Sequence, residues 1–392
     1  MSKKIGVFHD HFMYRGGGER LITLLAKSLD ADLISGFFDE GSLDPREVGF
    51  NGKIIEITKP GFAFFDKKSY QVEKIKDRSL LKGASFILMK GFRHFALKLA
   101  ILFQTQILKD YDIVIFSGDG IGAIRNCRKD AKKIYYCHTP PRYLYDQKEV
   151  YYSKVPTILR IPYRIACYVF EKMYRKDFAK LDKIITNSKN VQQRIKKFLG
   201  RESVIIYPPV DISFFKPSET RSEYYFSWAR LTEIKRVDKI AEAFIQMPDK
   251  KLIISYGKND PDKVRILKMV KGYDNISTIE SPDDENLRKL IGESIATIYI
   301  PVDEDFGMSP VESMACGVPV IGVDDGGLKE MIIDSKTGIL IDKDARIEDI
   351  RKAVCDLDME KSLSMKEDCV KQAKIFSLDT FAQMIKDEVG IG

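Results

Sequence analysis

The chain has 392 residues, 44% hydrophobic and 31% charged, a length and balance that indicate a globular protein with two α/β domains of ordinary size. Six scattered cysteines without a CxxC pair, and no N-terminal signal segment, favour a reducing, cytoplasmic setting. The four histidines have no zinc-ligand spacing, which argues against metal catalysis. Residues 1–206 carry 38 basic against 22 acidic residues, and residues 207–392 carry 26 against 35. The positive first half suits an anionic membrane surface, a diphosphate-bearing acceptor or nucleic acid.

The first predicted strand, residues 5–8, leads into a glycine-rich turn at residues 16–18. Leucines then recur at helical spacing from Leu21 to Leu29. A strand, a glycine turn and a helix in this order bring backbone N–H groups to a helix N-terminus, where phosphates bind. A dinucleotide fingerprint would need glycine in place of Leu21, so Gly17 and Gly18 are candidate phosphate contacts outside that fingerprint. An ordinary turn is the alternative.

Residues 59–110 form a basic segment with 11 Lys and Arg against 4 Asp and Glu. Helical spacing predicts one or two helices over residues 80–108. No charge-free apolar run there approaches the roughly 18 residues of a membrane span, so we expect no bilayer crossing. The first half of these helices, which contains Lys82, Lys90 and Arg93, is a candidate for contact with an anionic membrane surface. The second half, residues 95–108, is predicted to be a core helix.

Residues 113–116 and 133–137 are predicted as buried strands, and the second leads directly into His138. A histidine just past the carboxyl end of a parallel strand lies where open α/β sheets bind ligands, although a hydrogen-bonded turn histidine is the alternative. Residues 143–180 then mix tyrosines with Lys and Arg. This mixture is typical of a nucleic-acid or membrane interface, and no nucleic-acid motif accompanies it.

Two consecutive prolines, Pro208 and Pro209, predict an extended crossing between domains. We therefore divide the chain into a first domain at 1–206, a second at 207–375 and a C-terminal helix within 376–392. Alternating strands and helices in the second domain predict another doubly wound parallel sheet. Its predicted strands are residues 224–227, 252–255, 276–279, 296–300, 320–323 and 339–341.

Two cations follow the first strand of the second domain. Arg230 lies near the carboxyl end of that strand, and Lys235 is predicted at the start of the next helix. A guanidinium can bind two phosphate oxygens at once, and an ammonium can sit over the bridging region. Together they offer two positive charges to a diphosphate.

Residues 304–312 connect a buried strand to a helix and carry a glutamate at each end. The N-terminus of that helix would present backbone N–H groups and a positive dipole to a nucleotide diphosphate. Glu304 could accept hydrogen bonds from sugar hydroxyls, and Glu312, about two turns later, could hold a ribose diol. Ordinary solvated helix-start glutamates are the alternative. The residues assigned to donor binding in this segment are Phe306, Gly307, Met308, Ser309 and Glu312.

The two glutamates, with Phe306 and Gly307 between them, resemble the glutamate-x7-glutamate signature of family 4 glycosyltransferases. Within that family the chain is most similar to the mannosyltransferase branch of surface-polysaccharide biosynthesis, which also has a His-Thr-Pro turn like the one at His138. The resemblance implies the α/β GT-B fold, two Rossmann-like doubly wound domains that face each other across a cleft, with the C-terminal helix returning to the first domain. The common family form has glycine where this chain has Asp305, and an acidic residue there is frequent in the mannosyltransferase branch.

The resemblance further implies transfer with retention of anomeric configuration, GDP-mannose as donor, and a saccharide or polyprenyl-diphosphate-linked saccharide as acceptor. Glu304, His138, Arg230 and Lys235 are the predicted catalytic residues, and the base is expected near Gly257. No cofactor or metal is expected, and the protein is predicted to be cytoplasmic or peripheral on the cytoplasmic face of the membrane. Three alternatives remain open: a UDP-sugar donor, a GT-B epimerase or phosphorylase, and a non-catalytic nucleotide-sugar-binding subunit of a polysaccharide assembly complex.

Overall fold

The computed structural model describes residues 3–13, 15–39, 41–57, 97 and 101–391. Its backbone contacts divide the chain into two compact units. The first unit comprises Met1–Asn187, Val191–Ile206 and Ala382–Gly392, and the second comprises Ser188–Asn190 and Tyr207–Phe381. The helices predicted for residues 80–96, and the membrane-surface prediction attached to them, lie outside the described residues.

The first unit is built on a parallel sheet with the strand order β3-β2-β1-β4-β5-β6-β7. Its central strands are continuous apolar runs that are buried on both faces, as parallel sheets covered by helices require. The strands are β1 Ile5–His9, β2 Asp32–Ser35, β3 Ile54–Glu56, β4 Ile113–Ser117, β5 Lys132–Cys137, β6 Lys183–Thr186 and β7 Val204–Ile205.

The helices of the first unit alternate with these strands. The α-helices are α1 Gly17–Ser28, α2 Lys148–Ser153, α3 Arg160–Phe178 and α4 Lys189–Leu199, whose first two residues belong to the second unit. The 3₁₀ helices are Pro45–Val48, Gln106–Asp110, Gly118–Asn126 and Thr157–Leu159. Leu97, Ile101 and Leu108 are buried in the core, as predicted for residues 95–108.

The second unit is built on a parallel sheet with the order β10-β9-β8-β11-β12-β13. The strands are β8 Tyr225–Ser227, β9 Leu252–Tyr256, β10 Ile276–Glu280, β11 Thr297–Tyr299, β12 Val320–Val323 and β13 Gly338–Ile341. The α-helices are α5 Val237–Ile245, α6 Lys263–Val270, α7 Asp284–Glu293, α8 Met308–Ala315, α9 Leu328–Met331, α10 Ile347–Asp356, α11 Met359–Ser364, α12 Lys366–Ala373 and the first residues of α13 Leu378–Val389. The 3₁₀ helices are Glu233–Lys235 and Lys374–Phe376.

Both sheets reverse their strand order beside the first strand of the unit. The reversal lies between β1 and β4 in the first unit and between β8 and β11 in the second. In open α/β sheets the loops at the carboxyl ends of two such strands diverge, and the crevice between them is where ligands bind. The predicted α/β class with two Rossmann-like doubly wound domains is confirmed.

The last residues of α13, from Ala382 onward, belong to the first unit. Lys132 Nζ donates a hydrogen bond of 2.7 Å to the Val389 carbonyl oxygen. Lys183 Nζ donates one of 2.5 Å to the Glu388 carboxylate. Two lysines therefore lie at the negative end of the helix dipole, where positive charge is favourable.

None of the helices within the described ranges is long and apolar enough to pass through a bilayer.

We expect Gly338→Ala to destabilise the second unit. Gly338 pairs with Val320, and a Cβ atom at this glycine would lie only 2.0 Å from the Val320 carbonyl oxygen. Because the added Cβ atom would be attached directly to one strand and the carbonyl oxygen belongs to its neighbour, the two strands must move apart. We expect this to lower the free energy of unfolding by about 1–3 kcal/mol. Thermal unfolding followed by circular dichroism measures the effect. Gly41→Ala is the matched control, since its Cβ would meet nothing closer than the Asp39 carboxylate at 3.8 Å. Equal melting temperatures for the two variants would contradict the expectation.

Candidate functional site

The loops that follow β8 and β11 bring most of the predicted site residues to one edge of the second sheet. β8 ends at Ser227 and is followed by the loop that contains Arg230 and Lys235. β11 ends at Tyr299 and is followed by residues 300–307, which lead into α8. Because β8 and β11 are the strands at the reversal of strand order, these loops border the crevice where such a sheet binds ligands.

Lys235 and Glu304, two of the predicted catalytic residues, contact each other directly. Lys235 Nζ donates hydrogen bonds to the Glu304 carboxylate and, at 2.7 Å, to Tyr299 Oη. Tyr299 Oη donates in turn to Glu304 Oε2 at 3.1 Å. Burial, and then the negative charge of Glu304, raise the pKa of Tyr299 well above its ordinary value, so the phenol stays protonated. The three side chains form a closed, partly buried network with one positive and one negative charge.

Lys235 does not start a helix, contrary to the prediction. It ends the 3₁₀ helix Glu233–Lys235, and Arg236 follows with a φ of 53° in the left-handed region. The next α-helix begins only at Val237. This break separates the turn that contains Lys235 from α5. The position of the Lys235 ammonium is therefore set by its hydrogen bonds to Tyr299 and Glu304.

The position of Glu304 is set by the backbone of the turn after β12. Gly327 N–H donates a hydrogen bond of 2.8 Å to the Glu304 carbonyl oxygen. A Cβ atom at Gly326, whose φ is 57°, would lie 2.4 Å from the same oxygen. One at Gly327 would lie 2.7 Å from the Cα atom of Phe306. Only glycines allow the two backbones to approach this closely.

Helix α8 begins at Met308, inside the 304–312 segment, and presents its first turn at this edge. Gly307, with a φ of 91°, precedes it, and Met308 and Ser309 open the helix. The N–H groups of a first helical turn have no acceptor within the helix, so they can bind an anion. Glu312 lies farther along α8, and its negative charge contributes, after burial, to the raised pKa of Tyr299. Glu312 therefore shares the surroundings of the Lys235 network.

Arg230 and Gly257 meet at a different carboxylate. Asp260 Oδ2 accepts hydrogen bonds of 2.9 Å from the backbone N–H groups of Leu231 and Gly257. Arg230 Nε lies 3.8 Å from Asp260 Oδ1, and the arginine side chain is 66% exposed. The contacts therefore place Arg230 beside Gly257, while Lys235 pairs separately with Glu304. Arg230 is free to turn toward a ligand, whereas Lys235 is already held.

The Phe306 side chain packs into the core and is only 3% exposed. Its ring centroid lies 5.7 Å from that of Tyr207 and 5.7 Å from that of Phe376. This packing anchors the turn before α8. A donor contact of Phe306 stays a prediction, and it would have to involve the backbone.

In the first unit, three histidines and an aspartate gather at the carboxyl ends of β1 and β5. His138 Nε2 lies 2.9 Å from Ser117 Oγ at the end of β4, and its ring centroid lies 6.5 Å from that of His9. Asp10 Oδ2 lies 3.0 Å from His11 Nδ1. This cluster occupies the strand-order reversal of its own sheet, the place predicted for His138.

Burial and charge give the three histidines different pKa values. Burial, and then the charge of His9, lower the pKa of His138 to about 4. Burial also lowers the pKa of His9, and the Asp10 carboxylate only partly offsets this. For His11 burial acts in the same direction, but the charge of Asp10 and its hydrogen bond raise the pKa overall. His138 is therefore a neutral imidazole near neutral pH, able to donate or accept a hydrogen bond.

Gly17 and Gly18 lie at the start of α1, after the loop that follows β1. Gly17 is exposed and Gly18 is partly exposed, and a Cβ atom at Gly18 would meet nothing within 4 Å. The backbone of this helix start is thus accessible at the same edge of the sheet as His138. Its contact with a donor stays a prediction.

Several residues of the candidate site were not identified from the sequence: Tyr299, Asp260, Gly326, Gly327, Asp10 and Ser117. Gly326 and Gly327 had a usable signal, because a glycine pair that begins three residues after a buried strand indicates a close backbone approach. Tyr299 and Asp260 act through partners distant in sequence or through a loop fold that no local pattern shows.

Among the described residues, no group of three His, Cys, Asp or Glu side chains is arranged as a metal site. Metal-independent chemistry stays a prediction.

Residues 210–376 match a family model described as "Glycosyl transferases group 1". Over 229 residues the chain is 23% identical to the D-inositol 3-phosphate glycosyltransferase of Mycobacteroides abscessus, covering 53% of this chain and 52% of that protein. Over 286 residues the chain is 25% identical to the alpha-1,3/1,6-mannosyltransferase ALG2 of Kluyveromyces lactis. This match covers 59% of this chain and 54% of that protein. The chain thus spans about half the length of these two curated relatives.

A solved structure of sucrose-phosphate synthase from Thermosynechococcus elongatus is similar to this chain with a TM-score of 0.73. The match covers 99% of this chain and 98% of the other at 14% identity, which shows a shared fold. The predicted GT-B type of fold is thereby confirmed.

We expect the His138 imidazole to titrate near pH 4 and to destabilise the first unit in acid. Its folded pKa of about 4 lies below the ordinary 6.5, so between these values the unfolded chain binds a proton that the folded chain does not. The stabilisation is therefore complete above about pH 6.5 and is lost as the pH falls toward 4, by roughly 3 kcal/mol in total.

Two measurements test this expectation. NMR titration of ¹⁵N-labelled histidine gives the pKa of His138 directly, with His138→Asn used to assign its signal. Thermal melts of the wild type and of His138→Asn across the same pH range then report stability. The advantage of the wild type should shrink as the pH falls, and a His138 pKa at or above 6.5 would contradict the assignment.

Proposed function

We propose that this chain is a retaining glycosyltransferase that transfers a hexose from a nucleotide sugar. The observation that carries the proposal is the contact between Lys235 and Glu304 at the strand-order reversal, beside the N-terminus of α8. It lies within the residues that match the glycosyl transferases group 1 model. A cation for phosphate, a carboxylate for hydroxyls and an anion-binding helix start are the groups that recognition of a nucleotide sugar requires.

The charge changes of the reaction explain why these groups are needed. The bond from the anomeric carbon to the β-phosphate oxygen breaks, and its electron pair stays on the phosphate. The acceptor hydroxyl oxygen bonds to the anomeric carbon on the same face, and its proton passes to the leaving phosphate oxygen. Lys235, Arg230 and the amides of Met308 and Ser309 stabilise the departing diphosphate. Fixed donors aimed at developing charge contribute about 2.7–4 kcal/mol each.

The carboxylates and the first unit complete the proposed assignment. Glu304 holds hydroxyls of the transferred sugar, Glu312 holds the ribose diol, and the base lies near Gly257. His138 contributes a neutral imidazole for a sugar hydroxyl, and its lowered pKa supports that role. Backbone contacts of Gly17, Gly18 and Gly307 with the donor belong to the same proposal.

For the donor we propose GDP-mannose, and for the family the mannosyltransferase branch of family 4. Two observations support this choice. One relative is named an alpha-1,3/1,6-mannosyltransferase, and Asp305 stands where that branch frequently has an acidic residue. A UDP-sugar donor is the nearest alternative, and a non-catalytic nucleotide-sugar-binding subunit is the alternative from another class.

For the acceptor we propose a saccharide, or a saccharide carried on a polyprenyl diphosphate, in the biosynthesis of a surface polysaccharide at the cytoplasmic face of the membrane. The excess of Lys and Arg in residues 1–206 supports an acceptor that carries a diphosphate. Incubating the protein with labelled GDP-mannose and membrane lipid extract tests this proposal. Label should enter the lipid phase, and label found only in water-soluble products would exclude a lipid-linked acceptor.

The donor nucleotide can be identified from thermal stability. A ligand present at a hundred times its dissociation constant stabilises a folded protein by about 2.7 kcal/mol. We expect GDP and GDP-mannose to raise the melting temperature and UDP to have a much smaller effect. Stabilisation by UDP alone would overturn GDP-mannose while leaving the glycosyltransferase proposal intact.

Lys235→Met and Glu304→Gln should each abolish most sugar transfer. Losing Lys235, which stabilises the departing charge, costs about 2.7–4 kcal/mol, or roughly 10²–10³ in kcat, and losing the Glu304 carboxylate removes hydrogen bonds to the transferred sugar. Transfer of labelled sugar measures the loss, and NMR of the wild-type product reports the anomeric configuration. Lys268→Met, an exposed lysine on α6, is the matched control and should keep full activity. Melting temperatures must accompany the assay, because Lys235→Met leaves a partly buried carboxylate without its cation. Full activity in a folded Lys235→Met protein would contradict the mechanism.

A further inference from the structure

Helix α3 carries apolar side chains on the face that points to solvent. The most exposed apolar residues of the helix and the turn before it are Ile158 at 83%, Ile161 at 73%, Ile165 at 60% and Tyr168 at 59%. Their spacing of three or four residues places them along one side over three turns. We call these four residues the α3 stripe.

The opposite side of α3 already supplies the contact with the core. Cys167, Tyr174 and Phe178 are buried there. The stripe is therefore not the core-facing side of an ordinary amphipathic helix, because that role is taken. A contiguous exposed apolar surface of this kind marks an interaction site.

Basic residues surround the stripe. Residues 148–180 contain eight Lys and Arg but only three Asp and Glu. Two of the three acidic side chains are paired internally, Asp177 with Arg125 and Glu171 with Arg175. Lys172 and Lys176 remain exposed on α3. The stripe thus lies in a surface of strongly positive charge.

Two of the basic side chains form cation–π contacts with tyrosine rings in or beside the stripe. Lys172 Nζ lies 4.5 Å from the ring centroid of Tyr168, and the Arg164 guanidinium lies 4.3 Å from that of Tyr152. Beside them a cavity of about 230 Å³ opens between α2 and α3, and its lining combines Lys148 and Arg164 with Glu149 and Glu171. Tyrosine rings beside lysine and arginine are typical of the headgroup region of a membrane.

We infer that the α3 stripe is a docking surface for an anionic lipid bilayer. Helix α3 would lie in the plane of the interface, with the isoleucines entering the acyl boundary and the basic residues contacting headgroup phosphates. Because the cavity beside Arg164 holds two carboxylates as well as two cations, we assign the headgroup contacts to the exposed Lys172 and Lys176. This inference does not depend on the proposed catalytic activity.

Charge selects the bilayer over other occupants. A second copy of the chain would bring two positively charged surfaces together, which is unfavourable in the absence of acidic partners. A nucleic acid would use the basic residues but leave the four apolar side chains without a partner. Only a surface that is both apolar and negatively charged uses all of the exposed groups.

Co-sedimentation of the full chain with lipid vesicles tests the inference. We expect binding to vesicles of equal parts phosphatidylcholine and phosphatidylglycerol, weak binding to phosphatidylcholine alone, and release as salt is raised. The double variant Ile161→Asp/Ile165→Asp should lose about tenfold or more in partitioning, since it places negative charge in the acyl boundary. Lys172→Glu/Lys176→Glu should weaken binding to anionic vesicles specifically.

The controls separate docking from folding and from catalysis. Val264→Asp changes an 80% exposed apolar residue on α6 of the second unit and should leave vesicle binding unchanged. Because Ile161 and Ile165 are exposed, the double variant should keep the wild-type melting temperature and its transfer of sugar to a soluble acceptor.

Three outcomes would overturn the inference. They are equal binding to neutral and anionic vesicles, vesicle binding unaffected by the double variant, and a dimer in analytical ultracentrifugation that the double variant abolishes. Loss of transfer without loss of vesicle binding would bear only on the proposed function.

Discussion

The turn that leads into α8 is fixed by a close approach of two backbones, and the candidate site in the second unit depends on it. Gly326 and Gly327 lie against residues 304–306 at distances that no side chain would allow. This contact, with the hydrogen bond from Gly327 N–H to the Glu304 carbonyl oxygen, sets the direction of the Glu304 side chain. The carboxylate then meets Lys235 from the loop after β8 and Tyr299 from β11. Backbone packing thus fixes the Glu304 segment, and hydrogen bonds of its carboxylate then join it to the loop after β8 and to β11.

The two units use the same sheet topology but differ in the chemistry at the reversal of strand order. In the second unit that edge carries a lysine, an arginine and the start of a helix, all of which favour negative charge. In the first unit it carries His9 and His138, whose pKa values are lowered by burial, beside the buried Asp10. Neutral imidazoles suit hydrogen bonds to uncharged hydroxyl groups, whereas the second unit suits phosphate. Burial and charge within each unit therefore support the proposed roles, with sugar hydroxyls contacted by the first unit and phosphate by the second.

Elements with a strong local signal were predicted from the sequence almost to the residue. Strand β12 at Val320–Val323 is a continuous apolar run between Pro319 and polar residues, and α13 at Leu378–Val389 has helical periodicity and a preceding serine. Glu304, His138 and Arg230 could be proposed from the sequence because they follow buried strands, and their roles stay predictions. The helix start at Lys235 was wrong, because the left-handed backbone at Arg236 has no signature in a non-glycine residue. Tyr299 and Asp260 were missed for a related reason: their roles depend on partners that only the folded chain brings near.

The internal pairing of Lys235 has a consequence for selectivity among anions. Its ammonium already has a counter-ion in Glu304, so an incoming phosphate gains only the difference between two attractions. Inorganic diphosphate would attract the lysine and leave the Glu304 carboxylate without its cation, with only the Tyr299 hydroxyl as a donor, an unfavourable exchange for a partly buried carboxylate. A molecule that joins a phosphate to a polyhydroxylated ring supplies a replacement for each partner at the same moment. The resting pair thus acts as a filter that disfavours simple anions and admits ligands with both functional groups.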